Sequence, residues 1–375
     1  MLTTDSDVFS PTTAKINALS TYNFNSATNP ISLGTTIGFL DNAGKFSRFF
    51  EMAELQREGE PEIIEQSAVV SRLFEKDLQL ISNSRENSVI FFSSEDTTTM
   101  YGYRYFDNIR ERKLASWFKW QVTGNIKYHC MQDDNLFIVV ENNNKHQLLK
   151  YAIKVDSNTA LISGNRVHLD HLMEIPINIV GSNPTAPTVT YNATTKKSTF
   201  AKPVGLESSN QLVAYDEGTG TNLGRYGLIT VNGSNLELDG DWRNETFFIG
   251  YQFTMQVDMP TIYVSRLEGE SYRSDSRANT IIHRVKLAFG PIGLYKTILN
   301  RTGKNNYEQE FEVTNANNYL ANTAAIRNDN KLYTVPVYDR NTNVTLTIKS
   351  EHPAPANIHY MTWEGAYNTN FYTRV

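Results

Sequence analysis

The chain has 375 residues, of which 40% are hydrophobic and 11% aromatic, with 20 tyrosines and 19 phenylalanines. This aromatic content favours strands over helices, and a net charge of −5 argues against a dedicated nucleic-acid binder, which would carry a basic face. The single cysteine, Cys130, excludes an internal disulfide, and we interpret it as a small apolar residue on a buried strand rather than a reactive thiol.

The first part of the chain passes from a polar segment to strand and turn signals. Residues 1–30 are rich in Ser, Thr and Asn and are predicted to form an irregular arm. Residues 31–40 predict a strand, and the following Asp-Asn-Ala-Gly sequence predicts a turn. Residues 45–52 fit either a return strand or a helix, because their phenylalanines suit both periods. Residues 62–75 fit a short helix or a lid-like loop.

Short strands separated by polar turns dominate residues 77–153. Tyr101, Tyr103 and Tyr105 alternate and therefore share one face of a strand. The spacing is typical of up-and-down antiparallel sheet, such as the blades of a β-propeller. The candidate strands are residues 88–93, 101–106, 117–120, 125–130, 136–140 and 147–153.

In the second half of the chain, a segment of polar composition interrupts the strand patterns, which then resume. Residues 167–180 continue the β pattern, but residues 181–224 are rich in Thr, Asn, Ser and Gly and are predicted to form a long surface loop or small projecting subdomain. Residues 225–375 predict a second antiparallel set. Within it, alternation places Ile281, His283, Val285, Leu287 and Phe289 on one face of a strand.

These patterns predict an all-β fold with antiparallel sheets, a β-propeller-like core, a second antiparallel β region and long loops. The predicted divisions are an arm at 1–30, propeller-like blades at 31–180, the projecting segment at 181–224 and the C-terminal β region at 225–375. The start of the chain has no signal-peptide pattern, and no window is apolar enough for a membrane span, so we expect synthesis in a cytoplasm.

Motifs that carry chemistry are weak. His168 and His171 could begin a zinc site only on a helix, and the context is strand. Asp133 and Asp134 fall in a predicted hairpin turn, where Asp commonly bonds the backbone. The glycine-rich residues 218–224 lack the following helix that a phosphate-binding loop needs. We therefore predict no catalytic residue, no metal site and no cofactor.

The tryptophans and the arginines suggest two kinds of binding surface. Trp117, Trp120, Trp242 and Trp363 could form a sugar-stacking platform, although such residues more often lie in the core. Arginines and glutamates cluster between residues 48 and 75 and fit ion pairs at a contact between chains. The predicted subunit-interface residues are Arg48, Glu51, Arg57, Glu58 and Arg72.

Several stretches resemble a known family. They are residues 38–51 (GFLDNAGKFSRFFE), 57–61 (REGEP), 84–92 (SRENSVIFF), 115–120 (ASWFKW) and 363–368 (WEGAYN). They are similar to tail tubular protein B, the nozzle protein family of autographivirus-type short-tailed phages, most of all those of cyanobacteria. The resemblance runs from about residue 31 to the C-terminus, and family chains are longer than this one.

The resemblance implies a structural virion protein of the phage tail, made in the host bacterial cytoplasm. It implies a propeller-centred subunit of a ring, expected to be a hexamer, below the portal and the tail adaptor protein. The lumen would conduct DNA without sequence-specific binding, and a tail fibre protein would dock near the adaptor. On this view, reversing the charge of Arg48 or Arg72 weakens assembly. The alternatives are a glycan-binding or glycan-cleaving β-propeller module and a host propeller scaffold.

Overall fold

The computed structural model describes residues 2–4, 14–16, 22–42, 44–53, 62–75, 77–107, 112–154, 161–162, 165–175, 187–216, 225–268, 271–276, 278–311 and 332–368. Apart from two 3-10 turns, at Ala68–Val70 and Asn341–Asn343, the regular structure in these ranges consists of antiparallel strands. The chain divides into two compact units, Met1–Ser157 and Asn158–Val375. The prediction of an all-β, antiparallel fold with propeller-like features is confirmed.

The first unit contains a strand pair, a four-stranded sheet and a six-stranded sheet. In both larger sheets the strands follow one another in chain order, as in an up-and-down meander. The strands are β1 Leu2–Thr4, β2 Ala14–Ile16, β3 Ile31–Ser32, β4 Thr36–Asp41, β5 Arg48–Ala53, β6 Glu62–Glu65, β7 Leu80–Ser84, β8 Val89–Ser93, β9 Thr97–Asp107, β10 Arg112–Gln132, β11 Asn135–Asn142 and β12 Lys145–Ala152.

The six-stranded sheet curls because the long strand β10 pairs with two different strands along its length. Its first half pairs with β9 and its second half with β11, with a register shift between Gln121 and Ile126. The curl brings the β10–β11 end back to β7–β8, where Ser82 Oγ lies 2.6 Å from His129 Nδ1. Asn87 Nδ2 donates to Asp134 Oδ1 at 2.8 Å. These bonds hold the sheet as a half-barrel around an apolar interior.

Two core clusters lie on opposite faces of the six-stranded sheet. Cluster I lies between this sheet and the four-stranded sheet, and cluster II fills the curl. The buried members of cluster I are Leu40, Phe49, Phe74, Leu78, Ile90, Phe92, Tyr101, Tyr103 and Tyr105. Those of cluster II are Val89, Phe91, Met100, Val122, Ile126, Leu136, Ile138 and Val140.

The second unit contains two sheet pairs and two short hairpins. Its strands are β13 Leu161–Ile162, β14 Asn165–Arg166, β15 Asp170–Ile175, β16 Thr190–Asn192, β17 Lys197–Ala201, β18 Leu212–Asp216, β19 Tyr226–Leu228, β20 Thr230–Asn232, β21 Asn235–Asp239, β22 Phe247–Tyr251, β23 Met255–Asp258, β24 Ser265–Glu268, β25 Ser271–Ser274, β26 Asn279–Ile292, β27 Tyr295–Arg301, β28 Tyr307–Phe311, β29 Leu332–Arg340, β30 Val344–Ser350 and β31 Ala356–Asn368.

Strand order in the second unit departs from chain order. Sheets β15-β22-β18-β19 and β16-β17-β21-β20 share a core built around Phe200, Trp242 and Phe247. Sheets β23-β30-β27-β28 and β29-β26-β31 share another, built around Leu287 and Phe289. Each pair is a sandwich in which inward side chains of both sheets form the core.

Three local predictions can be compared with the observed strands. Residues 45–52, open between strand and helix, form β5, which pairs with β4 in a hairpin. Residues 62–75, predicted to form a short helix or a lid-like loop, contain the strand β6 and a 3-10 turn. Residues 187–216 are the described part of the segment predicted to be a surface loop or a small projecting subdomain. They contribute β16, β17 and β18, and Phe200 and Leu212 are buried in a sandwich core.

The alternation predicted for residues 281–289 holds only from residue 284 onward. Val285, Leu287 and Phe289 are buried on one face, as expected. A register shift between Ile282 and Arg284 reverses the earlier part of the strand, so Ile282 is buried and Ile281 is exposed. A bulge adds one residue to the strand and exchanges the faces on either side of it.

No helix in the described part of the chain has the length and apolar character that a bilayer crossing requires.

Candidate functional site

Arg48 lies on β5 and contacts acidic residues on both neighbouring strands. Its Nη2 is 2.9 Å from Oδ2 of Asp41, which is fully buried, and its Nη1 is 3.9 Å from Oε2 of Glu65. The guanidinium carbon also lies 5.2 Å from the ring centroid of Phe50, within cation–π range. About a third of the side chain remains exposed. Arg48 therefore stabilises its own sheet and still presents charge to solvent.

Glu51 has a different environment from Arg48, although both lie on β5. It is 4% exposed, and it accepts hydrogen bonds from Thr36 Oγ1 at 2.5 Å and Gln66 Nε2 at 3.0 Å. Because a buried carboxylate needs such donors, these contacts give Glu51 a structural role within the first unit. Arg72 is exposed in the turn after the 3-10 segment. Arg57 and Glu58 lie outside the described residues.

Aromatic side chains surround Arg48 on the face of the four-stranded sheet that points away from cluster I. Phe39 and Phe50 stack with their centroids 5.6 Å apart. Tyr22 lies 4.3 Å from Phe50, and Phe24 lies 6.3 Å from Phe39. Tyr22 and Phe24 are both over 40% exposed. We call this surface face A; it consists of Tyr22, Phe24, Ile37, Phe39, Arg48, Met52, Ile63 and Glu65, together with Phe50, which is fully buried beneath Tyr22.

A second apolar surface lies on the side of β10–β12 that points away from cluster II. Tyr128 is 56% exposed and Leu148 is 68% exposed, and both are in register with Val139. We call this surface face B; it consists of Tyr128, Cys130, Phe137, Val139, Leu148 and Lys150. Glu141 at its margin is paired with Lys127, whose Nζ lies 2.7 Å from Glu141 Oε2, while Asp96 also bonds the same ammonium. These bonds raise the pKa of Lys127.

In the sequence, Arg48 is the one predicted interface residue that belongs to face A, and no predicted residue belongs to face B. The signal for face B is the unbroken apolar run from Leu136 to Val140. A strand with one solvent face should alternate polar and apolar residues, so a continuous run indicates that both faces are covered. Leu136, Ile138 and Val140 fill cluster II, and the outward Phe137 and Val139 belong to face B.

The motifs considered for chemistry have structural roles. Asp133 occupies the β10–β11 turn with φ of 53°. Hydrogen bonding from Asn87, followed by Lys154, lowers the pKa of Asp134. His171 is buried, with Nδ1 3.2 Å from Asp170 Oδ1. Within the described ranges, no three His, Cys, Asp or Glu side chains are grouped so as to hold a metal ion. The glycine-rich residues 218–224 lie outside these ranges.

The four tryptophans do not converge on one surface. In the first unit, Trp117 packs against cluster I and Trp120 against cluster II, on opposite faces of the same sheet. In the second unit, Trp242 is buried in one sandwich and Trp363 packs against the core of the other. This distribution provides core packing and no shared stacking platform.

Comparisons with known proteins give one extensive match. A family model described as bacteriophage nozzle protein matches residues 1–374. Two solved structures of an exo-β-1,3-galactanase from Phanerochaete chrysosporium, one with galactose and one a variant with β-1,3-galactotriose, each show 8% identity to this chain. Each alignment covers 96% of this chain and 99% of the other, but the TM-score is 0.23, which is too low to support a structural or functional relationship. No curated protein matches significantly.

Proposed function

Because this chain belongs to the bacteriophage nozzle protein family and is therefore a structural component of a phage tail, we propose that it forms a ring-shaped nozzle that conducts DNA out of the virion. The tail is of the short, autographivirus type. The ring is a homohexamer below the portal, joined to the tail adaptor protein, and tail fibres dock near that junction. The observation that carries the proposal is the family match over residues 1–374.

The charge of the chain is compatible with a conduit. A basic channel would bind phosphates and retain the DNA, since each neutralised phosphate adds salt-dependent affinity. A net charge of −5 per chain provides no such general attraction. The antiparallel sheets supply a rigid wall, because their backbone polar groups are paired within the subunit.

No arrangement among the described residues favours the glycan-binding alternative, since the four tryptophans pack in separate clusters. The predicted absence of enzymatic activity agrees with the structural family.

The test is the particle mass of the purified chain by multi-angle light scattering, alone and with the adaptor protein of the same phage. We expect a mass near six chains, alone or on the adaptor, and a ring with an open centre by negative-stain electron microscopy. A chain that stays monomeric under both conditions would contradict the ring.

A further inference from the structure

The layering of the first unit fixes the directions in which face A and face B point. On β8, Ile90 and Phe92 belong to cluster I, whereas Val89 and Phe91 belong to cluster II. Because successive side chains of a strand point to opposite faces, the four-stranded sheet and the β10–β12 half of the curl lie on opposite sides of β8. Faces A and B are the outer surfaces of these two layers, so they point away from each other.

Both faces have the same arrangement of cross-strand rows. Each has one apolar row and, beside it, a row that ends in a charged residue on the edge strand of the sheet. On face A the rows are Ile37–Met52–Ile63 and Phe39–Phe50–Glu65. On face B they are Tyr128–Val139–Leu148 and Cys130–Phe137–Lys150. The charges at the row ends, Glu65 on β6 and Lys150 on β12, have opposite signs.

We propose that face A of one subunit packs against face B of the next subunit around the ring, with Glu65 opposite the neighbour's Lys150. A cyclic ring requires two different surfaces on each subunit, which meet head to tail. Faces A and B satisfy this requirement, because they lie on opposite sides of one unit and each presents exposed apolar side chains. These are Tyr22, Phe24 and Ile37 on face A and Tyr128 and Leu148 on face B. The proposal rests on the ring assembly of the proposed function.

Charge at the row ends favours this pairing. Face A already holds Glu65 beside Arg48, 3.9 Å away, so a second face A adds no unmatched cation for Glu65, whereas face B adds Lys150. A second face B would offer Lys150 no carboxylate, because the two rows of face B contain none. Like charges in juxtaposition oppose a contact, and opposite charges fix its register. The two apolar rows then pack as facing sheets, about 10 Å apart.

The first experiment tests the apolar rows in the full chain. Leu148→Glu on face B and Ile37→Lys on face A each place a charge in the contact while leaving the subunit folded, because both side chains are already largely exposed. We expect at least a tenfold rise in the concentration needed for assembly, with an unchanged melting temperature. Glu62→Lys and Lys145→Glu are matched controls on the same edge strands, at positions of the opposite parity, and should assemble like the wild type.

The second experiment is a charge exchange. Glu65→Lys and Lys150→Glu should each weaken assembly, and the double variant Glu65→Lys/Lys150→Glu should recover most of the wild-type assembly. Recovery requires the two residues to meet across the contact, and loss of folding in one variant cannot imitate it. Absence of recovery, with all variants folded by circular dichroism, would overturn the assigned pairing.

The outcomes separate this proposal from the proposed function. A wild-type ring that forms equally well with Leu148→Glu and Ile37→Lys would overturn the face assignment and leave the nozzle function intact. Loss of adaptor or fibre binding by these variants, with the ring unchanged, would assign the faces to another tail protein and also overturn the proposal. A wild-type chain that forms no ring, even with the adaptor, would overturn the function itself.

Discussion

Arg48 shows how one residue serves both the fold and the surface. Its guanidinium Nη2 lies 2.9 Å from Oδ2 of the fully buried Asp41, so Arg48→Ala removes a cationic partner from a buried carboxylate. We expect a loss of about 2–3 kcal/mol in the free energy of unfolding, below the full cost of breaking a buried pair because Arg48 is partly exposed. Urea denaturation at pH 7 measures the loss. The control Arg72→Ala, in an exposed turn, should change stability by less than about 0.5 kcal/mol.

Equal, small losses in both variants would contradict the structural role of Arg48. The same comparison bears on the prediction that reversing Arg48 or Arg72 weakens assembly. Since reversal of Arg48 also disturbs the Asp41 pair, Arg72→Glu is the cleaner test of a contact made by this segment.

His129 couples the stability of the first unit to pH. Burial lowers its pKa to about 4, below the ordinary value near 6.5. The unfolded chain therefore binds the proton more tightly, and stability is lost as pH falls from about 6.5 towards 4. The full effect is about 3 kcal/mol. Urea denaturation at pH 7 and pH 4.5 should show a smaller pH-dependent loss in His129→Gln than in the wild type.

His146→Gln, which replaces an exposed histidine on β12 by the same residue, is the matched control for the substitution itself. An identical pH dependence in His129→Gln and the wild type would show that the His129 ring does not titrate in this range.

At the scale of elements, the central strands of the curled sheet depend on a glycine. Gly102 on β9 is opposite Phe118 on β10, and the Phe118 ring lies where a Cβ of residue 102 would be. Gly102→Ala should therefore destabilise the protein by about 1–3 kcal/mol through overpacking. The double variant Gly102→Ala/Phe118→Leu should lose less than the sum of the single losses, measured by thermal denaturation. Strict additivity would mean that the ring and the new methyl group do not compete.

Bulges explain where strand patterns predicted the wrong face. On β26 the pattern placed Ile281 with Val285, but the register shift at Ile282–Arg284 separates them. On β10, even-numbered residues such as Phe118 and Ile126 pack towards cluster II before the register shift at Ile126–Tyr128, and odd-numbered Met131 does so after it. The alternation of residues along one strand does not reveal where a bulge inserts a residue, because the position of the bulge depends on the partner strand.

At the scale of the whole molecule, the two compact units have separate cores. Phe92 belongs to cluster I of the first unit, and Phe247 to a sandwich core of the second; both are fully buried. Large-to-small changes at such sites cost about 3–5 kcal/mol. We expect calorimetry to show two transitions, with Phe92→Ala lowering the melting temperature of one and Phe247→Ala that of the other. A single transition shifted equally by both variants would contradict separate units.

The fold class and most strands of residues 77–153 could be predicted from the amino-acid pattern alone, because alternation and turn residues act over a few neighbours. The sequence also contained the motifs that resemble the nozzle family. It did not reveal that residues 187–216 join strands near residue 250 in one sandwich, since their polar composition hides a few buried side chains such as Phe200 and Leu212.

Which charges and apolar side chains remain on the surface depends on long-range packing and could not be predicted from local sequence patterns. Arg48 and Glu51 are three residues apart and looked equivalent, yet opposite strand faces and different partners leave the first exposed and bury the second. Tyr128, Val139 and Leu148 lie on strands that the sequence predicts, but their outward direction follows from the curl of β10–β12. Burial depends on which sheet covers which face, and that is fixed by contacts between residues far apart in the chain.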